Sequence, residues 1–112
     1  MKIIHKDRTK TFKTGESCTA TEYPLEDGDI NGAVIELTGR YPDTGMVMNL
    51  KCKELVFVMK GSGRVVVDDG EIRCGEGDTI LIEPYEKYFW EGTITLFISS
   101  APAWYPEQHK RI

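Results

Sequence analysis

Turn-forming residues punctuate this chain about every ten positions, at Gly15, Glu26-Asp27-Gly28, Gly39, Pro42-Asp43-Thr44-Gly45, Gly61-Ser62-Gly63, Asp68-Asp69-Gly70, Gly75-Glu76-Gly77 and Pro84. None of the apolar segments between them is long enough for a three-turn amphipathic helix. The intervals instead collect β-branched and aromatic residues, over Ala33 to Leu37, Leu55 to Met59, Val65 to Val67, Thr79 to Ile82, Tyr88 to Trp90 and Ile94 to Ser99. Short strands between regular turns predict an all-β barrel or sandwich. Asp69-Gly70 tolerates the positive φ of a type I′ turn, which pairs Arg64 to Asp68 antiparallel with Glu71 to Cys74.

A chain of 112 residues, 40% hydrophobic, fills one core and not two. A single domain over 1–112 is expected, with its core at about 30–100, N-terminal strands in 1–29 and an irregular tail over 101–112 that runs along the surface. The net charge of -4 is spread along the chain and gives no nucleic-acid footprint. The basic cluster Lys2, Lys6, Arg8, Lys10 and Lys13 reads as an edge strand whose lysines discourage edge-to-edge pairing. No apolar run reaches membrane-spanning length and no signal-peptide core stands at the start, which predicts a cytoplasmic protein without a membrane partner. Cys18, Cys52 and Cys74 are odd in number and far apart, so reduced thiols are expected rather than disulfides or a zinc site.

Two glycine-bounded stretches stand out, Gly45 to Gly61 and Gly77 to Gly92. In the first, Glu54 is followed after six residues by Gly61; in the second, Gly77-Asp78-Thr79-Ile80-Leu81-Ile82-Glu83-Pro84 carries a proline one place late. In that order the two stretches resemble the paired motifs of the cupin superfamily. The resemblance implies a single double-stranded β-helix, the cupin or jelly-roll barrel. It also implies a metal held by three histidines and a glutamate, and here the sequence departs from the pattern. The paired histidine positions fall on Met48 and Leu50, or on Val47 and Asn49 in the longer spacing, and the third falls on Tyr88. Only Glu54 matches. Methionine, leucine and valine offer no imidazole lone pair, so no metal and no cofactor are expected.

Period-two alternation puts Met48, Leu50, Glu54, Val56, Val58, Ile80, Ile82, Tyr88 and Trp90 inside the barrel. An apolar lining with a few polar groups is the composition of a small-ligand site. Met48, Leu50, Glu54, Tyr88 and Trp90 are therefore candidate ligand-binding residues. Glu54 and Tyr88 are candidate catalytic residues, because burial raises a carboxyl pKa toward neutrality. The structural alternatives are that Glu54 bonds Tyr88 or a backbone amide and that Trp90 is simply core. His5 and His109 fall away from the motif positions, and a cysteine–histidine pair would need the tail to fold back over the barrel mouth. Arg40 reads as either an anion contact or a surface partner of Asp43.

Three functions follow from these residues. The first is metal-free binding of a small molecule, a carbohydrate or polar metabolite. The second is a metal-independent isomerase, epimerase or lyase using Glu54 and Tyr88, as the resemblance to cupin sugar epimerases implies. The third is an interaction or oligomerisation module. Leu55, Phe57 and Met59 alternate onto the outer face of a strand, and covering them predicts a homodimer.

Overall fold

Alternation decides which face of each strand turns inward, and the longest strand shows it most clearly. In a computed structural model describing residues 1–68 and 70–112, Glu54, Val56 and Val58 are buried while Lys53, Leu55 and Phe57 are exposed. Nine strands form among the described residues: β1 (Lys10–Gly15), β2 (Cys18–Glu22), β3 (Asn31–Tyr41), β4 (Val47–Asn49), β5 (Lys53–Val67), β6 (Gly70–Gly75), β7 (Thr79–Ile82), β8 (Tyr88–Ala101) and β9 (His109–Arg111). The remaining regular pieces are two 3-10 turns, Lys6–Arg8 and Pro106–Gln108.

The sheet runs in the order β1-β2-β3-β8-β4-β9, and β5 pairs with β6, β7 and β8. All pairings are antiparallel. Strand β8 sits at the centre, bonded along one side to β3 and along the other to β5. The curl of the sheet around it encloses a core that includes Leu37, Val47, Val56, Val65, Ile94 and Leu96. At the far edge, β1 bonds only β2 and exposes Lys10 and Lys13, as an edge strand that resists pairing should. The β5–β6 hairpin pairs Ser62 with Gly75 through Val67 with Gly70, so its strands lie where the turn signal put them. Asp69 lies outside the described residues.

Two expectations are corrected. Gly61-Ser62-Gly63 is not a turn: β5 passes straight through it, shifting register between Val58 and Lys60. Gly61 has φ +82 and a side chain there would collide with the Thr93 carbonyl, so the glycine marks a close strand approach rather than an end. The tail is also not irregular to its end. After the Pro106–Gln108 turn, β9 rejoins the sheet, pairing His109 with Asn49, Lys110 with Met48 and Arg111 with Val47. No helix among the described residues is long and apolar enough to cross a membrane.

Candidate ligand site

The barrel encloses a cavity of about 480 Å³. Its lining is mainly aromatic and aliphatic, with Trp90, Trp104, Tyr41, Tyr88, Leu37 and Ile98 among its residues. The polar members include Glu54, Ser100, Asn31 and His109, and among the described residues no lysine or arginine lines it.

Glu54, Tyr88 and Trp90 all reach this cavity. Met48 and Leu50 do not. On β4 the inward residues are Val47 and Asn49, while Met48 is half-buried on the opposite face. Alternation counted back from Glu54 fails because the chain bends at Leu50 to Cys52, between β4 and β5, and resets the phase. The same bend buries Asn49 and Cys52 together, although an unbroken strand would face them apart. The paired positions of the first motif are thus Val47 and Asn49.

Around Glu54 the polar groups form one continuous network. Glu54 Oε1 accepts from the Tyr88 hydroxyl at 2.8 Å and from Asn49 Nδ2 at 2.8 Å. Asn49 Oδ1 accepts from Gln108 Nε2 at 2.9 Å and lies 2.8 Å from His109 Nδ1. Gln108 Oε1 in turn accepts the backbone N–H groups of Lys51 and Cys52 at 3.2 and 3.1 Å.

These contacts fix every orientation. Two backbone donors can face only the oxygen of Gln108, so its nitrogen donates, so the atom of Asn49 that receives it is oxygen. His109 must then carry its hydrogen on Nδ1, which leaves Nε2 a bare acceptor. The Tyr41 hydroxyl donates to that nitrogen at 2.9 Å.

Burial sets the charges. It raises the Glu54 carboxyl above its usual range, against the lowering effect of the Tyr88 and Asn49 hydrogen bonds. It pushes His109 down to about 4, with Arg111 adding to the effect. Burial likewise holds Tyr88 well above its usual value, aided by the neighbouring Glu54. Tyr41 rises to about 12, chiefly by burial, with Arg111 opposing.

Three buried groups turn an unpaired polar atom toward the cavity. Glu54, Trp90 and Ser100 are 5%, 4% and 4% exposed. Glu54 Oε2, Trp90 Nε1 and Ser100 Oγ have no protein partner among the described residues. Yet no fully buried side-chain nitrogen or oxygen among those residues is left without one. The three atoms therefore open onto the cavity that their residues line.

The donor set does not fit a transition metal. Val47 has no donor atom, Asn49 spends its oxygen on Gln108 and His109, and the Tyr88 hydroxyl donates to Glu54. Among the described residues no three His, Cys, Asp or Glu side chains converge.

The tail contributes residues that sequence reasoning placed elsewhere. Trp104, Tyr105 and His109 line the cavity, although the sequence predicts a tail that runs along the surface. The signal for this lay in the Gln108-His109 pair, polar residues amid a stretch that otherwise reads as surface. Arg40 is not the surface partner of Asp43; it donates to the carbonyls of Pro42 and Gly45 at 2.7 and 2.8 Å and lies 4.0 Å over the Phe89 ring. It thereby holds the turn that follows Tyr41. Cys52 Sγ donates to the Pro102 carbonyl, and all three cysteines are free and buried.

The sequence pattern of the AraC-like ligand binding domain matches residues 53–91, from β5 into β8. No curated protein matches the chain by sequence. Among solved structures the chain is similar to Pac13 of Streptomyces, a nucleoside dehydratase with variants solved with uridine. That likeness covers 98% of this chain and 89% of the other, with a TM-score of 0.89 at 14% identity. The polyketide cyclase RemF of Streptomyces resistomycificus is similar over 100% of this chain and 85% of its own, with a TM-score of 0.76 at 16% identity. An RmlC-like cupin from Shewanella frigidimarina is similar over 90% of both chains, with a TM-score of 0.75 at 16% identity. At such identities the likeness concerns the fold.

Proposed function

The chain folds as a small cupin, and on that premise we propose that its barrel binds an uncharged, ring-bearing small molecule without a metal ion. The observation that carries this reading is the set of three unpaired polar atoms, Glu54 Oε2, Trp90 Nε1 and Ser100 Oγ, opening onto one aromatic cavity. Buried polar groups are costly to leave unmatched, so a site of this kind gains from a ligand that supplies their partners. With no lysine or arginine in the lining and Glu22 and Glu54 present, a phosphate or carboxylate would find no counter-charge. Polyhydroxylated rings such as sugars and nucleosides meet both conditions. The likeness to a protein solved with uridine supports a nucleoside among them.

Glu54 and Tyr88 then serve as ligand contacts and as the acid side of any proton transfer. An open cavity of about 480 Å³ disfavours the reading in which the barrel is only an interaction module. The protein acts as a homodimer in this account, with Leu55, Phe57, Leu81 and Phe97, exposed at 51%, 45%, 52% and 38%, covered by a second copy.

Native mass spectrometry of untagged, chelator-treated protein tests the reading. A one-to-one adduct is expected with uridine and none with uridine monophosphate at equal concentration. Loss of uridine binding on chelation, or equal retention of the phosphate, would refute it.

A further inference from the structure

The network supplies Glu54 with a partner base, the imidazole of His109. The amide of Asn49 stands between Glu54 and His109 with its nitrogen donating to the carboxyl and its oxygen accepting from the imidazole. That polarity stabilises a negative charge on Glu54 and a positive charge on His109, the opposite of the neutral forms that burial favours at rest. Tyr88 adds a second donor to Glu54, and Gln108 locks the amide against reversal. A bridge of this sense serves a pair whose charges appear together and vanish together.

We propose that Tyr41 and His109 form the proton-accepting half, and Glu54 the proton-donating half, of a site that enolises an uncharged, ring-bearing carbonyl compound. The inference rests on the small-molecule reading above. Tyr41, Glu54 and His109 all line the cavity. In the forward step the C–H bond next to the ligand carbonyl breaks, and its electron pair becomes the C=C bond of the enol. The Tyr41 oxygen takes that proton as its own passes to His109 Nε2. The carbonyl π pair takes the proton on Glu54 Oε2. The protein is left with imidazolium and carboxylate joined through Asn49, and the ligand is a neutral enol. Reversal through Tyr41 returns all protons, so no oxidant, metal or cofactor is consumed. Arg111 is the charge that opposes the imidazolium.

Here Tyr41 and Glu54 are the catalytic residues, since they touch the ligand. His109 acts through Tyr41, and Asn49 positions both halves.

The test uses 2-tetralone, an uncharged ring ketone with exchangeable α-hydrogens, in deuterium oxide. Proton NMR follows its deuteration while saturation transfer reports its binding in the same tube. Wild type is expected to speed exchange at least tenfold over buffer. Tyr41→Phe, His109→Gln and Glu54→Gln are each expected to lose at least fivefold of that rate while tetralone stays bound. Tyr41→Phe removes one hydroxyl and guards against misfolding as the cause. Binding without accelerated exchange, or smaller losses in these variants, overturns the inference and leaves the binding reading standing. Absence of binding overturns both for ring ketones.

Discussion

Asn49 donates to Glu54 Oε1 at 2.8 Å across the bend that separates β4 from β5. One amide thereby joins the short strand to the long one and, among the described residues, carries the network's link from the tail to the carboxyl. Replacing it with leucine of similar size leaves Gln108 Nε2, the His109 N–H and the Glu54 carboxyl each short of a partner. Asn49→Leu is expected to cost about 2–4 kcal/mol, read from urea unfolding with an unchanged slope.

Gln108 anchors the tail through both backbone donors of the bend, and it is 2% exposed. Gln108→Ala should cost about 2–3 kcal/mol and free β9, because the buried N–H of Cys52 and the part-buried N–H of Lys51 lose their acceptor. Hydrogen exchange at Lys51 and Cys52 measures it; unchanged protection there would show the anchor is dispensable.

The buried pair predicts a stability maximum in pH with opposite limbs. His109 is depressed to about 4 from 6.5, so its contribution is present above pH 6.5 and is lost as pH falls toward 4. Its ring faces Tyr41 and Asn49, packs near Trp104 and feels Arg111. Since the ring is partly solvated, the acid limb should amount to about 1–2 kcal/mol. Glu54 is raised, so its contribution is complete below 4.5 and is lost as pH rises through its folded value. Denaturant titrations between about pH 4 and 9 should show His109→Gln flattening the acid limb and Glu54→Gln the alkaline one.

Gly61 is held at φ +82 with the Thr93 carbonyl where a β-carbon would stand. Gly61→Ala is expected to destabilise by about 2–4 kcal/mol, through both strain and collision. A loss under about 0.5 kcal/mol would mean that β5 and β8 can part there without cost.

Apolar side chains on the outer face of β5, β7 and β8 lie side by side, with Leu55 paired to Leu81 and Phe57 to Phe97. Light scattering should give twice the chain mass at micromolar concentration, and Phe57→Asp should halve it.

The fold was legible because its two signals are local. Turn residues and alternation need no knowledge of distant partners, and they placed β3, β7 and the β5–β6 hairpin close to where they lie. They misread Gly61 to Gly63, where glycine serves a close approach between strands that only the folded sheet creates. The site was half legible. Glu54, Tyr88 and Trp90 followed from strand phase, but Met48 and Leu50 did not, since three bent residues shifted the phase by an odd step. Asn49, Tyr41, Gln108 and His109 join through pairings as far as 68 residues apart, which no spacing rule reaches.

Trp90 Nε1 is the sharpest reporter of the binding claim, being buried, unpaired and open to the cavity. Uridine and uridine monophosphate should be titrated in turn into chelator-treated, ¹⁵N-labelled protein while the indole N–H resonance of Trp90 is followed. The account predicts a saturable shift of that resonance with uridine and none with the phosphate. An unmoved Trp90 resonance while uridine binds elsewhere, or an equal response to both compounds, would contradict it.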